Sequence, residues 1–222
     1  MLTKGFNFLM HLFIGFLLLF LMQLPVLGDI YWSDSENSHN VNIWGHWLAL
    51  IGLTMLTFWA LWSIYRKHHP ADLHIITWRQ LALALGTAVL SVLAQMLIST
   101  IFAGGASTED QNYEIINLIH SRLGLITLIS ANIISPVLEE LFFRGIVQGF
   151  FNRYVNIWIA VIITNICFAF AHGYSGVNTV GIFITGCLFS AIYLKTKNLG
   201  TSMFAHSATN WLVTLINLLL LK

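Results

Sequence analysis

Two adjacent glutamates, Glu139 and Glu140, stand inside one of the most apolar runs of the chain, and Arg144 follows one helical turn later. Charge is costly in lipid and is kept chiefly where it faces a protein interior or a watery cavity. On a helix Glu140 and Arg144 are four apart and share a face, so they can pair and neutralise each other. Glu139 is turned about 100° away. It is free to take a proton, as a general base must. The competing reading is a structural ion-pair cluster that locks helices together.

Two later runs carry further polar groups. In Phe168-Ala169-Phe170-Ala171-His172, Phe168 and His172 share a helical face, and the two alanines permit close helix approach. A lone histidine at a helix end is more often a satisfied polar residue than a catalyst. In His206-Ser207-Ala208-Thr209-Asn210, His206 and Asn210 are stacked four apart. An imidazole and a carboxamide together can donate hydrogen bonds to an oxygen that becomes negative during reaction. They can equally form an interhelical polar clamp, and Ser207 and Thr209 have no stronger claim than packing.

Together the three runs supply a carboxylate base, two imidazoles and an amide donor. The chemistry they suit is attack of activated water on a peptide carbonyl. Glu139 takes the proton, His172 positions the water, and His206 with Asn210 stabilises the tetrahedral oxyanion. Zinc is the alternative, with Glu139, His172 and His206 as ligands and water in the fourth position. Spacing alone does not separate the two. No serine sits in a Gly-x-Ser-x-Gly setting, no Gly-x-Gly-Asp pair exists, and His-Glu-x-x-His is absent.

These residues resemble the CPBP family, the CAAX prenyl endopeptidases and bacteriocin-processing or immunity membrane proteins also called the Abi family. Its pattern is Glu-Glu-x-x-x-Arg, then Phe-x-x-x-His, then His-x-x-x-Asn. Glu139-Glu140…Arg144, Phe168…His172 and His206…Asn210 match it in order. The resemblance implies an intramembrane endopeptidase in which Glu139 and His172 activate water and His206 and Asn210 form the oxyanion hole. Glu140, Arg144 and Phe168 support them. It favours a metal-free mechanism over a metalloprotease one. The implied partners are a hydrophobic or lipidated peptide and membrane lipids. A bacteriocin-immunity or scaffold protein without essential catalysis is the alternative.

The elements that must position these groups are helices in a membrane. Of 222 residues, 57% are hydrophobic and 9% charged, and mean hydropathy is +0.78. Soluble domains carry about 25% charged residues. The expected fold is an all-α polytopic bundle of seven or eight transmembrane helices, because the apolar runs are too long and continuous for a barrel. It forms one transmembrane domain over residues 1–222, with the motif-bearing core at about 123–222. A net charge of +1 gives no basic field for nucleic acid.

About twenty residues cross the hydrocarbon core. The predicted spans are Phe6–Leu27, Ile43–Tyr65, Trp78–Ala103, Leu123–Phe150, Trp158–Ala171, Val177–Leu194 and Ser202–Leu221. Pro136 either interrupts the fourth or begins a further helix. The first span is expected to be a retained helix rather than a removed signal peptide. Basic residues at Lys4, Arg66–Arg79, Arg153 and Lys195–Lys197 alternate with acidic loops at Asp29–Glu36 and Glu109–Glu114. The positive-inside rule then puts the N-terminus in the cytoplasm and favours seven crossings. Trp32, Trp44 and Trp78 lie near span ends, as interfacial anchors should.

In that arrangement His172 and His206 fall at different depths, so tilt, shifted boundaries or a re-entrant piece near Pro136 must bring them together. Cys167 and Cys187 lie in apolar segments and are expected to be buried rather than bridged. His68, His69 and His120 read as loop residues. A proton-coupled transporter is the third reading. It needs polar residues through the early spans, where Gln23, Thr54, Thr57, Ser91 and Gln95 make a thin pathway.

Overall fold

The computed structural model describes residues 2–33, 42–68, 73–102, 119–174 and 176–220. The acidic loop residues Asp34, Glu36, Glu109, Asp110 and Glu114, together with His69, lie outside them. The described residues form seven helices and no strand: α1 (Leu2–Ser33), α2 (Ile43–His68), α3 (Trp78–Phe102), α4 (Gly124–Phe151), α5 (Ile157–Ala171), α6 (Val177–Thr196) and α7 (Leu199–Leu220). The chain is thus an all-α, multi-pass membrane protein. Four of these helices, α2, α3, α4 and α6, are long and apolar enough to cross a membrane. Shorter apolar stretches occupy Leu9–Pro25 in α1 and Ile157–Ala171 in α5.

The helix ends follow local chemistry. Thr77 and Gln80 cap the start of α3 reciprocally, Thr77 N donating to Gln80 Oε1 at 3.0 Å and Gln80 N to Thr77 Oγ1 at 3.3 Å. Asn156 caps α5 by accepting from the backbone of Trp158 and Ile159. Between α6 and α7, Lys197 adopts the left-handed conformation with φ 51°. Asn198, fully buried beside it, accepts from His74 N at 3.3 Å and donates to His74 O at 3.1 Å. This bond fastens the segment before α3 to the α6–α7 turn. Asn152 and Lys197 line one small cavity of about 120 Å³. Several segments that the charge pattern assigns to one side of the membrane therefore meet at one end of the bundle.

α4 occupies the middle, against α1, α2, α5 and α7, while α3 packs on α6 and α7, and α6 on α5. Its core side contributes Leu138, Leu141, Phe142 and Phe143, packed with Leu61 and Tyr65 of α2, Phe168 of α5 and Leu199 of α7. Gly145 permits the α2 approach: a Cβ there would come within 2.8 Å of the Tyr65 ring.

Pro136 does not divide α4. The backbone stays right-handed from Ile134 through Leu141, because a π-helical stretch, Ser130–Ile134, precedes the proline and takes up the strain. A second π-helical stretch, Leu141–Gln148, follows the two glutamates. A proline has no N–H to offer the carbonyl four or five residues back. Those carbonyls belong to Asn132 and Ala131. Each is taken by α7: Ser207 Oγ donates to Asn132 O, and Asn210 Nδ2 donates to Ala131 O at 2.9 Å. Thr214 Oγ1 adds a bond to Asn132 Oδ1 at 2.9 Å.

The expected burial of the cysteines is not observed for Cys167, which is exposed, while Cys187 is half-buried; both are free thiols. An apolar outer face needs no protein cover where lipid can supply it. Trp44 and Trp78 are exposed in the first turns of α2 and α3.

Candidate active site

Three helices deliver the polar residues to one place. Glu139 and Glu140 sit mid-way along α4, His172 ends α5, and His206 lies two turns into α7. The depth difference between the two histidines closes without a re-entrant segment. His172 Nε2 lies 3.6 Å and His206 Nε2 3.9 Å from the same oxygen, Glu139 Oε2.

The two carboxylates have different surroundings. Glu140 is fully buried, and its Oε1 meets Arg144 NH1 at 3.0 Å and His206 Nδ1 at 3.0 Å. Arg144, also fully buried, donates through NH2 to Asn165 Oδ1 and to Gly186 O, both at 2.8 Å. Asn165 is itself anchored to Val161 O and Ser190 Oγ. The guanidinium lies 4.3 Å from the centroid of the Phe168 ring, a cation–π contact strengthened by desolvation. Glu139 differs. Ser135 Oγ donates to its Oε1, and its Oε2, which like Glu140 Oε2 has no hydrogen-bond partner among the described residues, is faced by the two imidazoles rather than by a guanidinium.

Carbonyl and carboxylate oxygens only accept, which fixes the proton on each ring. His172 Nδ1 faces Phe168 O at 2.8 Å and must donate to it. His206 Nδ1 donates to Glu140. In the neutral forms, both Nε2 lone pairs therefore face the free oxygen of Glu139. Three acceptors around one point form a receptacle for a water molecule or a proton.

Phe168 holds the rings in place. It is buried and meets His172 edge-on at 4.5 Å, His206 at 5.7 Å and Phe143 at 5.1 Å between centroids. Phe189 stacks on His206 with 4.6 Å between centroids. Gly186 leaves the space this cluster needs, since a Cβ there would run into Asn165, Phe168 and Arg144.

A cavity of about 160 Å³ opens beside the imidazoles, lined by His172, His206, Asn210, Tyr174, Thr185 and Gln95 among others. Glu139 is not among the residues on its wall, and reaches it through the two imidazoles at 3.6 and 3.9 Å. Asn210 is on the wall, with one amide hydrogen engaged by Ala131 O. Tyr174, in the α5–α6 loop, stacks on His172 with 6.4 Å between centroids. Burial, with the Glu139 charge adding to it, pushes the Tyr174 hydroxyl's pKa up, so it remains a proton donor.

All the motif residues thus converge: Glu139 with His172 and His206; Glu140 with Arg144 and His206; Phe168 among them; and Asn210 on the adjoining wall. Sequence reasoning missed Ser135, Asn165, Ser190, Gly186 and Tyr174. Two carried a signal. Asn165 is a carboxamide inside an apolar span, and Ser135 precedes Glu139 by one turn on the same face. Among the described residues, no three His, Cys, Asp or Glu side chains are placed to hold a metal ion.

Residues 121–212 match the family described as type II CAAX prenyl endopeptidase Rce1-like. The match covers less than half of the chain and agrees with the resemblance to the CPBP family. The matched segment takes in all three motifs, with α4 and α5 whole and α7 as far as Leu212. The chain is similar to a putative membrane peptidase, YdiL, of Bacillus subtilis (strain 168), 27% identical over 115 residues, or 51% of this chain and 46% of that protein. It is also similar to a membrane-embedded CAAX protease, MroQ, of Staphylococcus aureus (strain USA300), 30% identical over 152 residues, or 66% of this chain and 60% of that protein. The matches thus span about half of the first relative and three fifths of the second. No solved structure matches the chain significantly.

Proposed function

We propose that the protein is an intramembrane endopeptidase that hydrolyses a peptide bond in a membrane-associated or lipidated peptide through glutamate-activated water. The observation that carries this reading is the unpartnered Glu139 Oε2, flanked by two imidazole Nε2 atoms beside a cavity. The family match and the relatives' descriptions point the same way.

A water held between Glu139 and His172 attacks the carbonyl carbon, and Glu139 takes its proton. The carbonyl oxygen becomes an oxyanion. Asn210 meets it with its second amide hydrogen. To donate from Nε2 while Nδ1 is engaged with Glu140, His206 must carry both ring protons, and Glu140 at 3.0 Å supplies the counter-charge. When the C–N bond breaks, the proton on Glu139 passes to the leaving amine. Glu140 and Arg144 hold the rings and the charge balance without touching substrate. The observed 3.6–3.9 Å separations are longer than hydrogen bonds, as is common in catalytic sites before substrate tightens them.

A carboxylate, two imidazoles and water are also a chemically suitable zinc set. In the proposed mechanism the water is activated by Glu139 without metal. Purified protein in detergent should lose peptide cleavage on Glu139→Ala, by about 10²–10⁴-fold for removal of a general base, and should keep it after exhaustive chelation. Full activity in Glu139→Ala overturns the assignment of the base. Loss on chelation, restored by zinc, overturns the metal-free mechanism.

A further inference from the structure

The cavity at the imidazoles does not end there. Gln95 of α3, Tyr174, Ile182 of α6 and Val213 of α7 line both it and a second, larger cavity of about 300 Å³. The two form one cleft between α3, α6 and α7, with Tyr174 at the junction, stacked on His172. The outer part has an unusual lining for a membrane bundle. Its apolar walls, such as Met96 and Ile216, are interrupted by Ser99, Asn178 and Asn217. Among the described residues, no Asp, Glu, Lys, Arg or His side chain lines it. Neither Asn178 nor Asn217 has a side-chain hydrogen bond among the described residues. Gln95 has one, from Nε2 to Thr185 Oγ1 at 2.9 Å, which leaves its carbonyl oxygen available.

A carboxamide carries both a donor and an acceptor, the complement of a peptide group. In a low-dielectric setting an unmatched amide is costly. Asn178 and Asn217, half-buried and without a side-chain partner among the described residues, are open to a ligand that brings its own backbone amides. The apolar walls between them suit small or aliphatic side chains. Among the described lining residues, a charged side chain in that position meets no counter-ion.

We propose that the outer cleft between α3, α6 and α7 binds an extended, uncharged arm of the substrate peptide, with Asn178 and Asn217 pairing with its backbone amides and so setting specificity. The occupant rests on the peptidase reading. The cleft itself rests on its own geometry. It makes α3, which carries none of the sequence motifs, part of the recognition surface.

The test uses full-length protein in detergent and a palmitoylated, dye-labelled peptide of alanine, leucine and serine. One form is long enough to enter the outer cleft, and the other ends at the inner cavity. Fluorescence polarisation on Glu139→Gln protein reads binding without turnover, and cleavage is read on the wild-type background. The long form should bind more tightly than the short one. Asn178→Leu with Asn217→Leu should weaken the long form about tenfold, the effect of one or two lost hydrogen bonds, and leave the short form unchanged. Lysine or aspartate in the arm, or N-methylation of its backbone, should weaken the long form on unaltered protein. Equal binding of the two forms, or a double variant that affects both alike or neither, overturns the cleft. Cleavage that persists with no such discrimination leaves the peptidase standing and removes the cleft. Discriminating binding with no cleavage of either form by wild-type protein removes the peptidase and leaves a peptide-binding cleft.

Discussion

Helices α1–α3 and α4–α7 solve different problems with the same apolar vocabulary. On α1–α3, large hydrophobes such as Phe13, Phe20, Met55, Trp59 and Leu97 point outward. The polar link between α1 and α2 is modest, Thr57 Oγ1 donating to Leu21 O at 3.2 Å. On α4–α7, five buried polar groups meet one another: Glu140, Arg144, Asn165, Ser190 and His206 form one connected set. Lipid contact is non-directional, so it places few demands on residue identity. A buried charge network specifies partners atom by atom. The difference explains why three motifs pick out residues that cluster and why the first three helices resemble other membrane helices only in general character.

The comparison can be broken most sharply at Arg144. Arg144→Met leaves the buried Glu140 without its guanidinium, and breaking a buried pair from one side costs about 3–5 kcal/mol. The expected result is loss of the cooperative thermal transition of the protein in detergent. An unchanged transition would mean that the network contributes no more than lipid-facing packing does. A smaller effect belongs to Ser207→Ala, which leaves the Asn132 carbonyl without its α7 donor. A cost of about 1 kcal/mol is expected, read as a lower midpoint of thermal unfolding with activity also reduced as Asn210 loses support. At the bottom of the scale is Met55→Ala, on an outward face at 67% exposure. It should change stability by less than about 0.5 kcal/mol, as substitutions away from packed or bonded features do. A drop matching Ser207→Ala would show that α2 has a protein partner on that face.

Much of this was legible in residue types. Composition and run length identified a helical membrane bundle, since no other spanning structure satisfies long unbroken apolar backbone. The spacing of Glu140 and Arg144 foretold their pairing, and the rotation of Glu139 foretold its separate environment. Other features were illegible because they depend on which helices adjoin. His206 bonds to Glu140 across 66 positions, and Gln95 reaches Thr185 across 90. No periodicity encodes such distances. Continuity of α4 through Pro136 was also ambiguous, because a proline's effect depends on whether neighbouring helices can satisfy the carbonyls it deprives. Asn165 was readable as a polar residue in an apolar span. Its role as the support of Arg144 was not.

Pro136 has a consequence for evolution of the chain. Its ring withholds one donor, and α7 answers with two side chains, Ser207 and Asn210, on the carbonyls left over. Replacing it with alanine would return an N–H to the backbone and set it in competition with Asn210 for the same acceptor. A mutation that improves the intrinsic helicity of α4 would thereby loosen the neighbour that carries His206. Local regularity and global order trade against each other at this position, and an irregular backbone is the arrangement that keeps the two helices in register.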